Sequence, residues 1–183
     1  MISLKEKSLL IIVDMQNDFI DGSLGFDKAQ TIIPAITNLI SKFQNSNNEI
    51  IFTQDTHFKD YLQTTEGQNL PIIHCIKGTR GHEICDDLKP FISHYKVFEK
   101  SGFGSLEIGN FIKNSDFKQI FLVGLVSDIC VISNAIVAKS ALQSGEIYVI
   151  KDATQSPNEQ MREKTFEILQ NLHINCIDLS QIS

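Results

Sequence analysis

The chain has no block of basic residues, no cysteine pair at CxxC spacing, no low-complexity tract, no internal repeat and no long apolar run. Each absence excludes something. Lysine and arginine number 16 against 22 aspartates and glutamates, a net charge of -6, so the concentrated positive patch that grips nucleic-acid phosphates is missing. The first apolar run, residues 9–13, is too short for a signal-peptide core or a bilayer span, and Asp14 ends it. A cytoplasmic protein with no membrane partner is expected. The four cysteines, Cys75, Cys85, Cys130 and Cys176, are scattered and read as reduced thiols rather than a disulfide framework. With 42% hydrophobic and 21% charged residues the composition is that of a globular protein. No linker divides it, so residues 1–183 are read as one domain, large enough to bury about two-thirds of its unfolded surface.

What is present alternates. Residues 9–14 form a continuous apolar run, as in a strand buried on both faces. Pro34 opens a helix with Ile36, Leu39, Ile40 and Phe43 on one side. Residues 49–53, 95–99, 119–123, 146–150 and 174–177 read as further strands. Residues 105–113 and 127–144 read as helices, the second closed by Gly145. Ser156-Pro157-Asn158-Glu159 reads as a capping box, with proline at the first helical position of a helix reaching about Leu172. Residues 55–80 form a long irregular stretch, of the kind that in a compact domain carries function. Strand–helix alternation predicts a three-layer αβα fold of the α/β class, with a six-stranded, mostly parallel, Rossmann-like sheet.

The polar residues that follow the strands then gain meaning. Asp14 ends the first strand, Asp55 and His57 follow the second, Lys100 follows the third, and Asp128 and Cys130 follow the fourth. In open parallel sheets the binding crevice lies beyond the carboxyl ends of the strands, so these residues converge on one edge. Taken singly, a cysteine is usually a packing residue, a lysine a solvated charge and an aspartate a cap. Cys130 differs from Cys75, Cys85 and Cys176 in sitting in the first turn of a helix, where backbone N–H groups and the helix dipole favour a thiolate. Asp14, Lys100 and Cys130 together supply a proton acceptor, a cation and a nucleophile. Asp55, His57, Glu66 and His74 are the metal candidates, a donor set suited to Zn²⁺, Fe²⁺ or Mn²⁺. His82, His94 and His173 have no comparable neighbours and read as ordinary histidines.

Three ordered segments, within about residues 8–155, resemble one family. Asp14-Met15-Gln16-Asn17-Asp18-Phe19 is similar to the D-x-Q-x-D-F signature of the isochorismatase-like cysteine hydrolases, which include the nicotinamidases. His74-Cys75-Ile76-Lys77-Gly78-Thr79-Arg80-Gly81 is similar to their H-C-x-x-G-T-x-G segment, and Gly124-Leu125-Val126-Ser127-Asp128-Ile129-Cys130-Val131 to their nucleophile motif. The resemblance implies a triad of Asp14, Lys100 and Cys130 that hydrolyses a small amide through a thioester, most simply nicotinamide to nicotinate and ammonia. It implies an oxyanion hole from the backbone N–H groups of Val126 and Cys130, and a cis peptide between Leu125 and Val126. It implies one divalent metal ion, Zn²⁺ first, on Asp55, His57 and His74, with Glu66 as a fourth ligand, and a homo-oligomer.

The chain departs from that pattern around the substrate. There is no tryptophan, and Leu70-Pro71-Ile72-Ile73-His74 is one residue longer than the corresponding nicotinamidase segment. After Lys100 the sequence is Ser101-Gly102-Phe103-Gly104-Ser105 where the family often has Tyr-Ser-x-Phe. Phe19 and Phe103 are candidates to sandwich a flat ring, or else core residues. Three readings therefore stand side by side: a nicotinamidase-like metalloamidase, a related hydrolase of another amide, ureido or carbamoyl compound, and a ligand-binding protein without turnover.

Overall fold

The structure is a computed structural model that describes residues 1–4, 6–44, 48–142 and 144–183. Its centre is β1 (Ser8–Val13), whose six residues are all buried. β2 (Glu49–Asp55) and β3 (Lys96–Lys100) extend the sheet on one side of β1, and β4 (Gln119–Leu125), β5 (Glu146–Gln155) and β6 (Asn175–Ile177) on the other. The order is β3-β2-β1-β4-β5-β6 and every pairing is parallel.

Side chains alternate across the sheet. Leu10 and Ile12 face α1 (Ile33–Gln44), packing with Ile36, Leu39, Ile40 and Phe43. Leu9, Ile11 and Val13 face the opposite layer of α2 (Leu106–Lys113), α3 (Ile132–Ala141) and α4 (Glu159–Asn171), packing with Ile108, Ile112, Ala135, Ala138 and Leu169. This is the expected three-layer αβα fold. Among the described residues no helix is long and apolar enough to cross a membrane.

Several boundaries differ from the sequence expectation, each for a local reason. β1 stops at Val13 because Asp14 turns into the left-handed region at φ 46°. β2 and β3 run on to Asp55 and Lys100, so those two side chains stand on the strand ends themselves. β5 continues five residues beyond Ile150. β6 pairs with it only as far as Ile150, so Lys151 and Asp152 lie past the cover of their outer neighbour. The expected helix over residues 127–144 is two elements, a single π-wound turn Ser127–Val131 followed by α3, which ends at Ala141. Gln143 lies outside the described residues. Gly145 leads into β5 and does not close the helix. The cap of α4 is Asn158, whose side chain accepts from the Met161 N–H at 3.1 Å, and Pro157 precedes the cap. Ser156 Oγ instead accepts from the Asn158 N–H at 3.0 Å.

The chain leaves β1 toward β2 and β3, then returns to build β4 to β6 on the other side. The switch point between β1 and β4 is where this architecture opens a crevice. The two strands meet there closely. Gly124, paired with Val13, has φ 110°, and an added Cβ would lie 2.1 Å from the Val13 carbonyl oxygen. Replacing Gly124 with alanine is expected to destabilise the fold by roughly 2–5 kcal/mol, from left-handed strain plus overpacking. Urea denaturation compared with wild type checks this, and a change under half a kcal/mol would show that the strands can part.

Candidate active site and metal centre

β1, β2, β3 and the turn after β4 deliver four side chains to one buried point. The Lys100 ammonium lies 2.7 Å from Asp14 Oδ2, 3.3 Å from Asp55 Oδ1 and 3.6 Å from Cys130 Sγ. Asp14 is fully buried, and Asp55, Lys100 and Cys130 nearly so. Thr53 on β2 closes the remaining side of Asp14: its hydroxyl donates to Asp14 Oδ1 and accepts from the Asp14 N–H at 3.0 Å.

Burial in so small a space decides the protonation states. Burial disfavours the Lys100 ammonium, but the charges of Asp14, Cys130 and Asp55 outweigh it and hold the group well above the ordinary lysine range. Burial pushes the Asp14 carboxyl up, aided by Asp55, while Lys100 and Thr53 pull it down. Burial likewise pushes the Cys130 thiol well up, as does Asp14, with Lys100 opposing. Asp14 and the thiol thus compete for one cation, and a proton shared between them titrates as a property of the pair.

The second cluster adjoins the first through Asp55. Ligand atoms of Asp55, His57, Glu66 and His74 all lie within 4.8 Å of one another. His57 Nε2 is 2.8 Å from Asp55 Oδ2 and 3.6 Å from Glu66 Oε1, and His74 Nε2 is 3.6 and 3.7 Å from the same two oxygens. Ligands about 2.0–2.1 Å from a tetrahedral Zn²⁺ stand about 3.3–3.4 Å apart, close to three of these four separations. His57 Nε2 is buried and has no hydrogen bond of proper geometry, although Asp55 is so near. The two atoms point at a common centre more than at each other. His74 Nδ1 donates to the Ile72 carbonyl at 2.8 Å, which leaves the Nε2 lone pair directed inward. The donor set of two imidazoles and two carboxylates fits a divalent ion. Burial pushes the Glu66 carboxyl up, aided by the charge of Asp55.

Local structure explains how the ligands meet. His57 forms a parallel bridge with Ile76, through His57 N–H to Cys75 O and Lys77 N–H to His57 O, both 2.9 Å. This brings residues 74–77 beside the continuation of β2. Glu66 sits on a short helix, Thr65–Asn69, capped by Thr64, so part of the stretch expected to be irregular is ordered. A cavity of about 580 Å³ opens beside these ligands, lined by His57, Phe58, Tyr61, Glu66 and Ser101 among others. A larger groove of about 860 Å³ lies at the amino ends of β1 to β3, by Lys7, Glu49 and Lys96. It is remote from the titratable cluster, and the smaller cavity is the relevant one.

Phe19 and Phe103 are placed differently. The Phe19 ring lies 5.7 Å from the His74 ring and leans on the core beneath α1. Phe103 is 49% exposed, on the loop between Lys100 and α2. The Leu125–Val126 peptide is cis. The Val126 carbonyl accepts from the N–H groups of Ile129 and Val131, at 3.2 and 3.1 Å, which winds the turn carrying Cys130. Ser127 Oγ donates to Thr154 Oγ1, which donates to the Gly124 carbonyl, and so ties that turn to β5.

Sequence reasoning passed over several residues that build the site. Gln16 is fully buried. Its amide oxygen accepts from the Asp55 N–H at 2.7 Å, and its amide nitrogen donates to the carbonyls of Asp55 and His82, both at 2.8 Å. Asp18 Oδ2 accepts from the Cys75 N–H at 2.7 Å, fixing the residue next to His74. Tyr61, with its hydroxyl on the Leu70 carbonyl, presents its ring 4.6 and 5.0 Å from His57 and His74. The alternation of Asp14, Gln16 and Asp18 just past a strand was the available signal for two of these. Tyr61 carried none.

Comparison with known proteins agrees with this geometry. The isochorismatase domain model matches residues 8–181. The nicotinamidase of Acinetobacter baylyi is 30% identical over 179 residues, covering 80% of each chain. That of Saccharomyces cerevisiae is 25% identical, covering 92% of this chain and 98% of its own. A crystal structure of the pyrazinamidase of Pyrococcus horikoshii in complex with zinc shares the fold, with TM-score 0.79 and 23% identity over 94% of this chain and 99% of that one. The chain belongs to the isochorismatase domain family, as a nicotinamidase-like hydrolase of carbon–nitrogen bonds other than peptide bonds.

Proposed function

We propose that the chain is a metal-containing amidase that hydrolyses nicotinamide to nicotinate and ammonia through a thioester on Cys130. The observation that carries this reading is the single Lys100 ammonium in reach of Asp14, Cys130 and Asp55, with Asp55 also belonging to the four-ligand cluster. Asp14 takes the thiol proton, and Lys100 keeps both resulting anions compatible with burial. The Cys130 sulfur attacks the amide carbon, and the tetrahedral oxyanion is received by the Val126 and Cys130 N–H groups. As the carbon–nitrogen bond breaks, Asp14 returns the proton to the departing ammonia. Water then attacks the thioester with Asp14 as base, giving the acid and restoring the thiol.

Asp55, His57, Glu66 and His74 would hold one divalent ion, Zn²⁺ before Fe²⁺ or Mn²⁺, which when bound supplies an electrophilic anchor for a ring nitrogen. The Phe19 ring beside His74 and the Phe103 ring at the loop supply flat apolar surface for the ring itself. Exposed Leu106, Ile129 and Ile136 on the neighbouring surface support a homo-oligomer.

Ammonia release from nicotinamide tests the reaction. Cys130→Ala is expected to abolish it, and Asp14→Asn to lower kcat by about 10³-fold or more, the usual scale for losing a general base that also activates a nucleophile. A protein with an alkylatable Cys130 that leaves nicotinamide intact directs the search to ureido and carbamoyl compounds. One that also leaves those intact is a binding protein.

Metal analysis gives a second check. One divalent ion per chain is expected. His57→Ala and His74→Ala should each lose it at equal chelator concentration, with affinity down about 100-fold or more. Retention of full metal in both variants places the ion elsewhere.

The pH profile follows from Asp14. It must be ionised to accept the thiol proton, and burial raises its pKa from 3.8. The acid limb of kcat/KM therefore lies above the ordinary aspartate value, with activity lost as pH falls through it. The Thr53 hydroxyl stabilises the carboxylate, so Thr53→Val should move that limb to higher pH. A shift to lower pH, or none, would remove Asp14 from the role of base.

A further inference from the structure

We propose that Asn134 is a positioning residue that sets how closely the Phe103 loop stands to Cys130, by holding that loop against the nucleophile turn. The inference rests on the reading of Cys130 as nucleophile and goes beyond it to what the site admits.

Asn134 lies on α3, four residues after Cys130, and is fully buried. Its side chain makes three hydrogen bonds, all to backbone. Nδ2 donates to the Cys130 carbonyl at 2.8 Å and to the Phe103 carbonyl at 3.1 Å, and Oδ1 accepts from the Ser105 N–H at 3.1 Å. The two loop contacts bracket Gly104, where an added Cβ would stand 3.3 Å from the Ser133 carbonyl and 3.2 Å from Val137 Cγ2. The loop therefore passes close over α3 at Gly104. Ser105 is in turn the cap of α2, accepting from the Ile108 N–H at 3.3 Å. One amide thus joins the carbonyl of the nucleophile residue, the peptide of Phe103 and the start of the next helix.

Phe103 is half exposed, so little besides its backbone fixes its ring. Whatever holds the Phe103 peptide sets how far that ring stands from Cys130. A hydrophobic residue at 134 would strand the Phe103 carbonyl and the Ser105 N–H, and the loop would move to satisfy them. Threonine is the more selective change. Its hydroxyl can bond back to the Cys130 carbonyl within the helix but is too short to clamp the loop.

The test compares two thiol reagents, iodoacetamide and N-phenyliodoacetamide, which differ by a flat ring. Second-order rates are read on the Cys130 peptide by mass spectrometry in wild type, N134T, N134A, F103A and the N134T/F103A double variant, with thermal unfolding as the check on folding. Wild type should favour the ring-bearing reagent relative to the plain one. In N134T that ratio is expected to fall by about threefold or more, with the plain-reagent rate within about twofold of wild type, and to show no further fall in the F103A background, the non-additivity of groups acting through one another. Should N134A not fold, N134T carries the comparison. An unchanged ratio in folded N134T, or an equal fall with and without Phe103, would overturn the proposal and leave Asn134 a structural bond only. A wild-type Cys130 inert to both reagents overturns the nucleophile reading, and the positioning role with it.

Discussion

The site is organised around one buried ammonium. Lys100 is almost inaccessible to solvent, and a cation in that position persists only if its lost hydration is replaced by charge and hydrogen bonds. Asp14 and Asp55 replace it, and Cys130 completes the shell. The arrangement binds each partner to the others. Removing Lys100 leaves uncompensated negative charge inside, a loss on the order of 3–5 kcal/mol for a buried pair, before any effect on chemistry. Lys100 therefore ties the end of β3 to the ends of β1 and β2 and to the Cys130 turn through one shared charge.

Topology makes the convergence possible. Four parallel strands end at the same edge, and β1 and β4 diverge at the switch point where Asp14 and the Cys130 turn emerge. Strand ends alone, however, would leave loops free to place these groups variably. Polar side chains bonded to backbone remove that freedom. Gln16 grips both backbone groups of Asp55, Asp18 holds the peptide of Cys75, and Asn134 holds the loop after Lys100. Each is a polar side chain whose hydrogen bonds all go to backbone, so it fixes shape and not merely proximity.

Much of this was legible beforehand. The central strands are continuous apolar runs and the helix faces are periodic, so element type and order followed from burial. Asp14, Asp55, Lys100 and the Cys130 turn stood at strand ends, which the parallel-sheet rule brings to one edge. Glu66 and His74, by contrast, lay in one long loop, and the bridge between His57 and Ile76 that carries residues 74–77 to the site is invisible in the sequence. What was not legible has physical causes. β5 carries Lys151 and Asp152 in mid-strand, which mimics a strand end because the lost cover of β6 is invisible in one dimension. The turn at Cys130 has the composition of an α-helix, and its π winding depends on the Val126 carbonyl receiving two N–H groups. Asn134 is a polar residue amid apolar ones and Gln16 stands among other polar ones, and the value of each lies in a partner 31 and 39 positions away. The helix bearing Glu66 is short, but the Thr64 cap on the Gly67 N–H was a local signal that could have been read.

The two clusters are best understood as one. Asp55 gives Oδ1 to Lys100 and Oδ2 to the histidines, so the group that completes the lysine shell also belongs to the cluster that could hold a metal ion. Among the residues gathered here Asp14, Asp55 and Glu66 are carboxylates, and Lys100 alone is a permanent cation. Such a set, buried and carrying an excess of two negative charges, is unfavourable as it stands, and the upward push on Glu66 and Asp14 records that. A divalent ion between Asp55, His57, Glu66 and His74 restores neutrality. Bound there it would share Asp55, drawing that carboxylate's field toward itself and leaving Lys100 more fully to Asp14 and Cys130.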